Sequence, residues 1–83
     1  MNRVLIKVHV PSLATAFEIL IPPELVLNEI ITYISNAIEQ YSDGQYCSSH
    51  HEILCNKKDG KVLDINYSAY ELGLHNGSEL VLI

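Results

Sequence analysis

From Val4 to Val10 the chain alternates, with Val4, Ile6, Val8 and Val10 on one side and Leu5, Lys7 and His9 on the other. This period of two predicts a half-buried β-strand. Pro11-Ser12-Leu13 interrupts the pattern, and Thr15 to Ile21 resumes it with Phe17, Ile19 and Ile21 facing in and Glu18 and Leu20 facing out, so a hairpin is expected. Pro22-Pro23 stops the second strand, because proline has no N–H to give a ladder. A helix then starts near Val26. Leu27, Ile30, Ile31, Ile34, Ile38 and Tyr41 fall within an arc of about 100° at helical spacing, and Asn28, Glu29, Thr32, Ser35, Asn36, Glu39 and Gln40 take the other side. Asp43-Gly44 after Ser42 is the stop signal.

The second half is built of shorter pieces. Gln45 to His51 is polar and unpatterned, which predicts a surface loop. Glu52 to Asn56 predicts a short strand with Ile53 and Cys55 inward and Leu54 outward, and Lys57-Lys58-Asp59-Gly60 supplies a turn into Lys61 to Leu63. Ala69 to Leu74 suggests a helical turn and His75-Asn76-Gly77 a tight turn. Ser78 to Ile83 is the last strand, with Leu80 and Leu82 inward and Val81 and Ile83 outward. A single helix with one apolar stripe must cover one face of a sheet, so the architecture expected from these elements is a two-layer α+β domain. At 83 residues there is room for one core, and residues 1-83 are expected to form one domain.

Charge narrows the range of partners. Ten acidic against five basic residues leave a net charge of -5, which argues against nucleic acid and anionic membranes, whose binders usually display a basic face. No uncharged apolar run reaches the eighteen or so residues of a membrane span, and the chain opens on a strand pattern and not on a signal peptide, so membrane insertion is not expected. Two cysteines are too few for a disulfide framework and suggest reduced thiols in a cytoplasm. Charged residues make up 18% of the chain against a usual share of about 25%, which leaves more bare aliphatic surface than a monomer needs.

Cys47, His50, His51 and Cys55 form a C-x2-H-H-x3-C cluster, the ligand set that tetrahedral zinc prefers. An inward Cys55 could not share a metal with loop histidines, so no metal and no cofactor are expected. The same residues lack an orienting group and an oxyanion donor for Cys-His nucleophilic chemistry, so no catalytic residue is assigned. His9 and His75 are expected to be solvated, and Asp59-Gly60 and Asn76-Gly77 to be turn punctuation without the lysine and hydroxyl of a phosphate loop. The five tyrosines are dispersed and lack the basic clusters of a base-stacking platform.

The order of elements, with Gly60-Lys61-Val62-Leu63-Asp64, Ala69-Tyr70-Glu71-Leu72-Gly73-Leu74 and Ser78-Glu79-Leu80-Val81-Leu82, resembles the second half of a ubiquitin-like β-grasp. Within that superfamily Leu25-Val26-Leu27-Asn28-Glu29-Ile30-Ile31, Glu52-Ile53-Leu54-Cys55 and Glu71 to Leu80 are similar to the YukD/EsaB-type components of bacterial type VII secretion. The resemblance spans essentially the whole chain. It implies a mixed sheet of four to five strands packed on one amphipathic helix. It further implies a non-catalytic, cytoplasmic adapter docking on a cytoplasmic domain of the secretion membrane complex, pseudokinase-like or ATPase. The chain ends at Ile83 without a terminal Gly-Gly, as those proteins do, so activation and transfer of the C-terminus are not expected. The alternatives are a ubiquitin-like interaction domain of another assembly and, third, a sulfur carrier or conjugated modifier.

In a β-grasp the strand containing Leu54 neighbours the last strand, so Leu54, Val81 and Ile83 are expected to form one exposed aliphatic patch, extended by Leu13 from the first hairpin loop. By resemblance this is where ubiquitin presents its aliphatic recognition surface. The expected occupant is a protein partner, with a weak homodimer as the rival.

Overall fold

The computed structural model describes residues 3–49 and 51–83. Strands β1 (Val4–Val10) and β2 (Thr15–Ile21) form the predicted hairpin through a 3-10 turn at Pro11–Leu13, and helix α1 (Leu27–Tyr41), β3 (Leu54–Asn56) and β4 (Glu79–Leu82) follow. The sheet order is β2-β1-β4-β3. β1 and β4 run parallel in the middle, and the two outer pairings are antiparallel. Ile6, Val8, Val10, Ile19, Ile21, Leu54, Leu80 and Leu82 of the sheet meet Leu27, Ile30, Ile31, Ile34 and Ile38 of α1 in one core, closed at the side by Ala69 and Leu74. One face of the sheet is therefore covered by the helix and the other is bare.

The helix begins without a side-chain cap at Val26. Its first free donors are satisfied from outside instead, since the Leu27 N–H donates to the Tyr67 carbonyl at 2.8 Å and the Asn28 N–H to the Ile65 carbonyl at 3.2 Å. The segment crossing over the helix start thus replaces a cap and fixes where α1 enters. The predicted helical turn at 69–74 is a run of tight turns, introduced by a reciprocal Ser68/Glu71 box: the Ser68 N–H donates to Glu71 Oε1 at 2.9 Å and the Glu71 N–H to Ser68 Oγ at 3.0 Å. Leu74 is carried into the core from its end.

Three expectations need correction. Ser35 belongs to the predicted polar side of α1 but is buried at 1% exposure. Tyr41 belongs to the predicted stripe but lies exposed at the last position of α1, where its ring meets Phe17 at 6.0 Å on the rim of the core. Leu54 is inward and not outward. It pairs with Leu82, and antiparallel partners share a face, so it enters the core at 1% exposure while Ile53 and Cys55 turn to the bare face.

Candidate functional site

The bare face owes its character to register. Ala16 pairs with His9, His9 with Val81, Val81 with Cys55, and Cys55 bridges to Val62, so one row of side chains crosses all four strands and the segment beyond β3. Beside it Ile53 and Ile83 exchange both backbone hydrogen bonds, at 3.0 and 2.9 Å, which sets their side chains opposite each other. Ile53 is 45% exposed, Val62 65% and Ile83 70%, with Val81 half-buried between them. Cys55 is tucked among these aliphatics at 6% exposure. Five apolar side chains on two adjacent strands and their flank make a contiguous surface where a monomer needs none.

Polar groups border it on one side. His9 Nε2 lies 2.9 Å from Glu79 Oε1. This hydrogen bond, with Lys57 and Lys7 nearby, holds the Glu79 carboxyl below the usual carboxylate range. Lys7 pairs with Glu79 on one side and Glu18 on the other, so the row beside the aliphatic one is charged. His9, expected to be solvated, instead joins the two rows.

Of the four residues expected in the patch, the structure brings two together there. Val81 and Ile83 lie on the bare face as predicted. Leu54 is in the core, and Leu13 is half-buried and packs against the core from the 3-10 turn, so neither extends the surface. Ile53, Cys55 and Val62 take part and were missed. The deciding fact is the register with β4: Leu54 lies opposite the inward Leu82, which sends Leu54 to the core and Ile53 and Cys55 to the other side.

The Cys-His cluster does not assemble among the described residues. Cys47 is exposed on the loop after α1, Cys55 is on the bare face and not inward as expected, and His51 is exposed; His50 lies outside the described residues. No group of three His, Cys, Asp or Glu side chains able to hold a metal ion occurs among the described residues.

The loop itself is held by Glu52. Its carboxylate accepts from the Tyr46 hydroxyl at 2.8 Å, the Ser49 N–H at 2.7 Å and the Ser48 hydroxyl at 3.2 Å, and the Ser48 N–H donates to Glu39 Oε1 at 3.0 Å. Burial alone would raise the Glu52 pKa, but these donors outweigh it and the carboxyl titrates below its ordinary 4.5. Burial, and then the same hydrogen bond, push the Tyr46 hydroxyl up to about 12 from 10.0. A lowered acid pKa contributes stability above its unfolded value that is lost as pH falls, and a raised one contributes stability below its unfolded value that is lost as pH rises. The loop is accordingly held firmly between about pH 4.5 and 10. The protection factors of the Ser48 and Ser49 amides, taken against intrinsic exchange at each pH, should fall below and above that window, and Glu52→Gln should lower them at pH 7 with a stability loss of about 1 kcal/mol. Unchanged exchange in that variant would show that the loop is held elsewhere.

Known structures share the fold. The chain superposes over 100% of its length on 94% of the EccD5 ubiquitin-like domain from Mycobacterium xenopi, with a TM-score of 0.81 and 13% identity. It superposes over 100% of its length on 99% of the ubiquitin-like domain of the Mycobacterium tuberculosis type VII secretion system protein ECCD1, with a TM-score of 0.76 and 11% identity. For Caldiarchaeum subterraneum ubiquitin the figures are 99% of this chain, 92% of that one, a TM-score of 0.74 and 19% identity. No protein-family model and no curated protein sequence matches the chain. Identities this low carry the fold and not the activity. With its hairpin, covering helix, parallel central pair and short returning strands, the chain has the ubiquitin-like β-grasp fold.

Proposed function

We propose that this protein is a non-catalytic, cytoplasmic adapter that docks through the bare face of its sheet onto a cytoplasmic domain of a type VII (ESX/WXG100) secretion machine, a membrane protein or ATPase. The observation that carries the docking role is the aliphatic surface of Ile53, Val62, Val81 and Ile83 around the buried Cys55, exposed on an acidic chain whose core is already complete without it. The secretion context rests on fold likeness to the ubiquitin-like domain of a type VII secretion system protein and on the sequence resemblance given above. No described helix is long and apolar enough to cross a membrane.

Ile53→Glu tests the reading. The site is 45% exposed, so the folded state should lose no more than about 0.5 kcal/mol. A carboxylate in the middle of an apolar contact should weaken association about tenfold or more, read as loss of the protein from immunoprecipitated secretion complexes and as reduced export of the small helical substrates. Full recovery with the complex and full export by a folded Ile53→Glu protein would remove this face from the mechanism. A ubiquitin-like role in another assembly would instead leave export intact in cells lacking the protein altogether.

A further inference from the structure

The open edge of the sheet is a second surface, distinct from the bare face. In β1 the Lys7 N–H donates to the Ser78 carbonyl at 2.9 Å and the Leu5 carbonyl accepts from the Gly77 N–H at 2.8 Å, so these positions turn their backbone groups towards β4. The direction alternates along a strand, which leaves Ile6 and Val8 to bond their partners Ile19 and Phe17 in β2. The N–H and C=O groups of Ala16, Glu18 and Leu20 therefore point away from the sheet. At the opposite edge such groups are covered: the Asn56 N–H donates to the Lys61 carbonyl and the Leu63 N–H to the Leu54 carbonyl, both at 2.9 Å. Among the described residues β2 has no such cover, and it has an unbroken register with β1, no internal proline and a single charged side chain.

A groove runs beside this edge, lined by Tyr33, Ala37 and Tyr41 of α1, by the β2 residues 18–20 including the Glu18 carboxylate, and by Arg3 and Leu5. Both tyrosines are exposed there. A strand added to β2 would place alternate side chains in the groove and on the bare face. On the bare face the charged row specifies what comes next. Lys57 lies near Glu79, Glu79 pairs with Lys7 and Lys7 with Glu18, so the signs alternate up to the open edge, and the following position calls for a cation. A second copy of the chain paired along the full length of β2 would set Glu18 against Glu18, so the charge pattern disfavours self-association.

We propose that β2 receives an extended segment of another protein as an added strand, with apolar residues directed into the tyrosine-lined groove and a lysine or arginine opposite Glu18. Three capped seven-residue peptides of alternating valine and threonine test this against the full chain: one with a central lysine, one with a central glutamate, and the lysine peptide N-methylated at the lysine and two residues to either side. With the lysine peptide, the amides of Ala16, Glu18 and Leu20 should shift and gain exchange protection. The glutamate peptide should bind about tenfold more weakly, and Glu18→Lys should invert that preference. The N-methylated peptide should give no protection, while Ile53→Glu should bind the lysine peptide like the parent. Four results overturn the proposal: no binding, equal binding of the lysine and glutamate peptides, shifts confined to Ile53, Val62 and Ile83, or protection of β2 amides that grows with protein concentration without peptide.

Discussion

Leu54→Glu should unfold the protein, whereas the same change at the preceding residue should leave it folded. Leu54 is 1% exposed, opposite Leu82 and part of the buried apolar core. A carboxylate there loses the transfer energy of a buried leucine and must either ionise in an apolar core or take up a proton, and burying an unpaired charge is among the few changes that exceed about 4 kcal/mol. An 83-residue domain has a stability of about 4 to 12 kcal/mol, so a loss of this size takes a third or more of it and, at the lower end of that range, leaves little or no native population. Circular dichroism with a urea titration, run on Leu54→Glu and Ile53→Glu side by side, gives the answer. Tolerance at 54 with collapse at 53 would mean that β3 is shifted by one residue, because a single slip exchanges its two faces.

That pair of variants also marks where the sequence stopped being legible. Strands β1, β2 and β4 alternate cleanly, and their inward sets Ile6, Val8 and Val10, Ile19 and Ile21, and Leu80 and Leu82 are those of the core. Helix α1 follows its apolar spacing up to Ile38, and only Tyr41, in the last turn where the helix passes the edge of the sheet, leaves the stripe. In β3 the apolar run Ile53-Leu54-Cys55 has no phase of its own, and the polar neighbours Glu52 and Asn56 favour the wrong one. The phase comes from long-range pairing with β4, which no local window contains. The failure has a physical reason: a strand with polar side chains on its open face would have alternated, whereas here apolar residues stand on both sides, Leu54 in the core and Ile53 and Cys55 on the bare face. The misplaced Leu54 and the missed Ile53, Cys55 and Val62 are thus one error with one cause. The edge of β2 was illegible in another way, since backbone groups leave no trace in side-chain patterning.

The second large effect is expected at Leu80. β4 lies between β1 and β3, and Leu80 sits at its centre, paired with Val8 on one side and Asn56 on the other and 1% exposed. Leu80→Ala removes three buried carbons from a position walled by strands on both sides, where the surroundings have little freedom to close the gap. The loss is therefore expected to be about 2 to 5 kcal/mol, transfer energy plus cavity, and Tm should drop by roughly 10 °C or more. Urea unfolding should show a lower midpoint with an unchanged slope, since the same surface is exposed on unfolding. Val8→Ala fills the other half of the cycle. Because Val8 and Leu80 are direct partners on the core face, the double variant should depart from additivity by about 0.5 kcal/mol or more. Strict additivity would mean that the two side chains do not share a cavity, and the parallel pairing at the centre of this β-grasp would have to be redrawn.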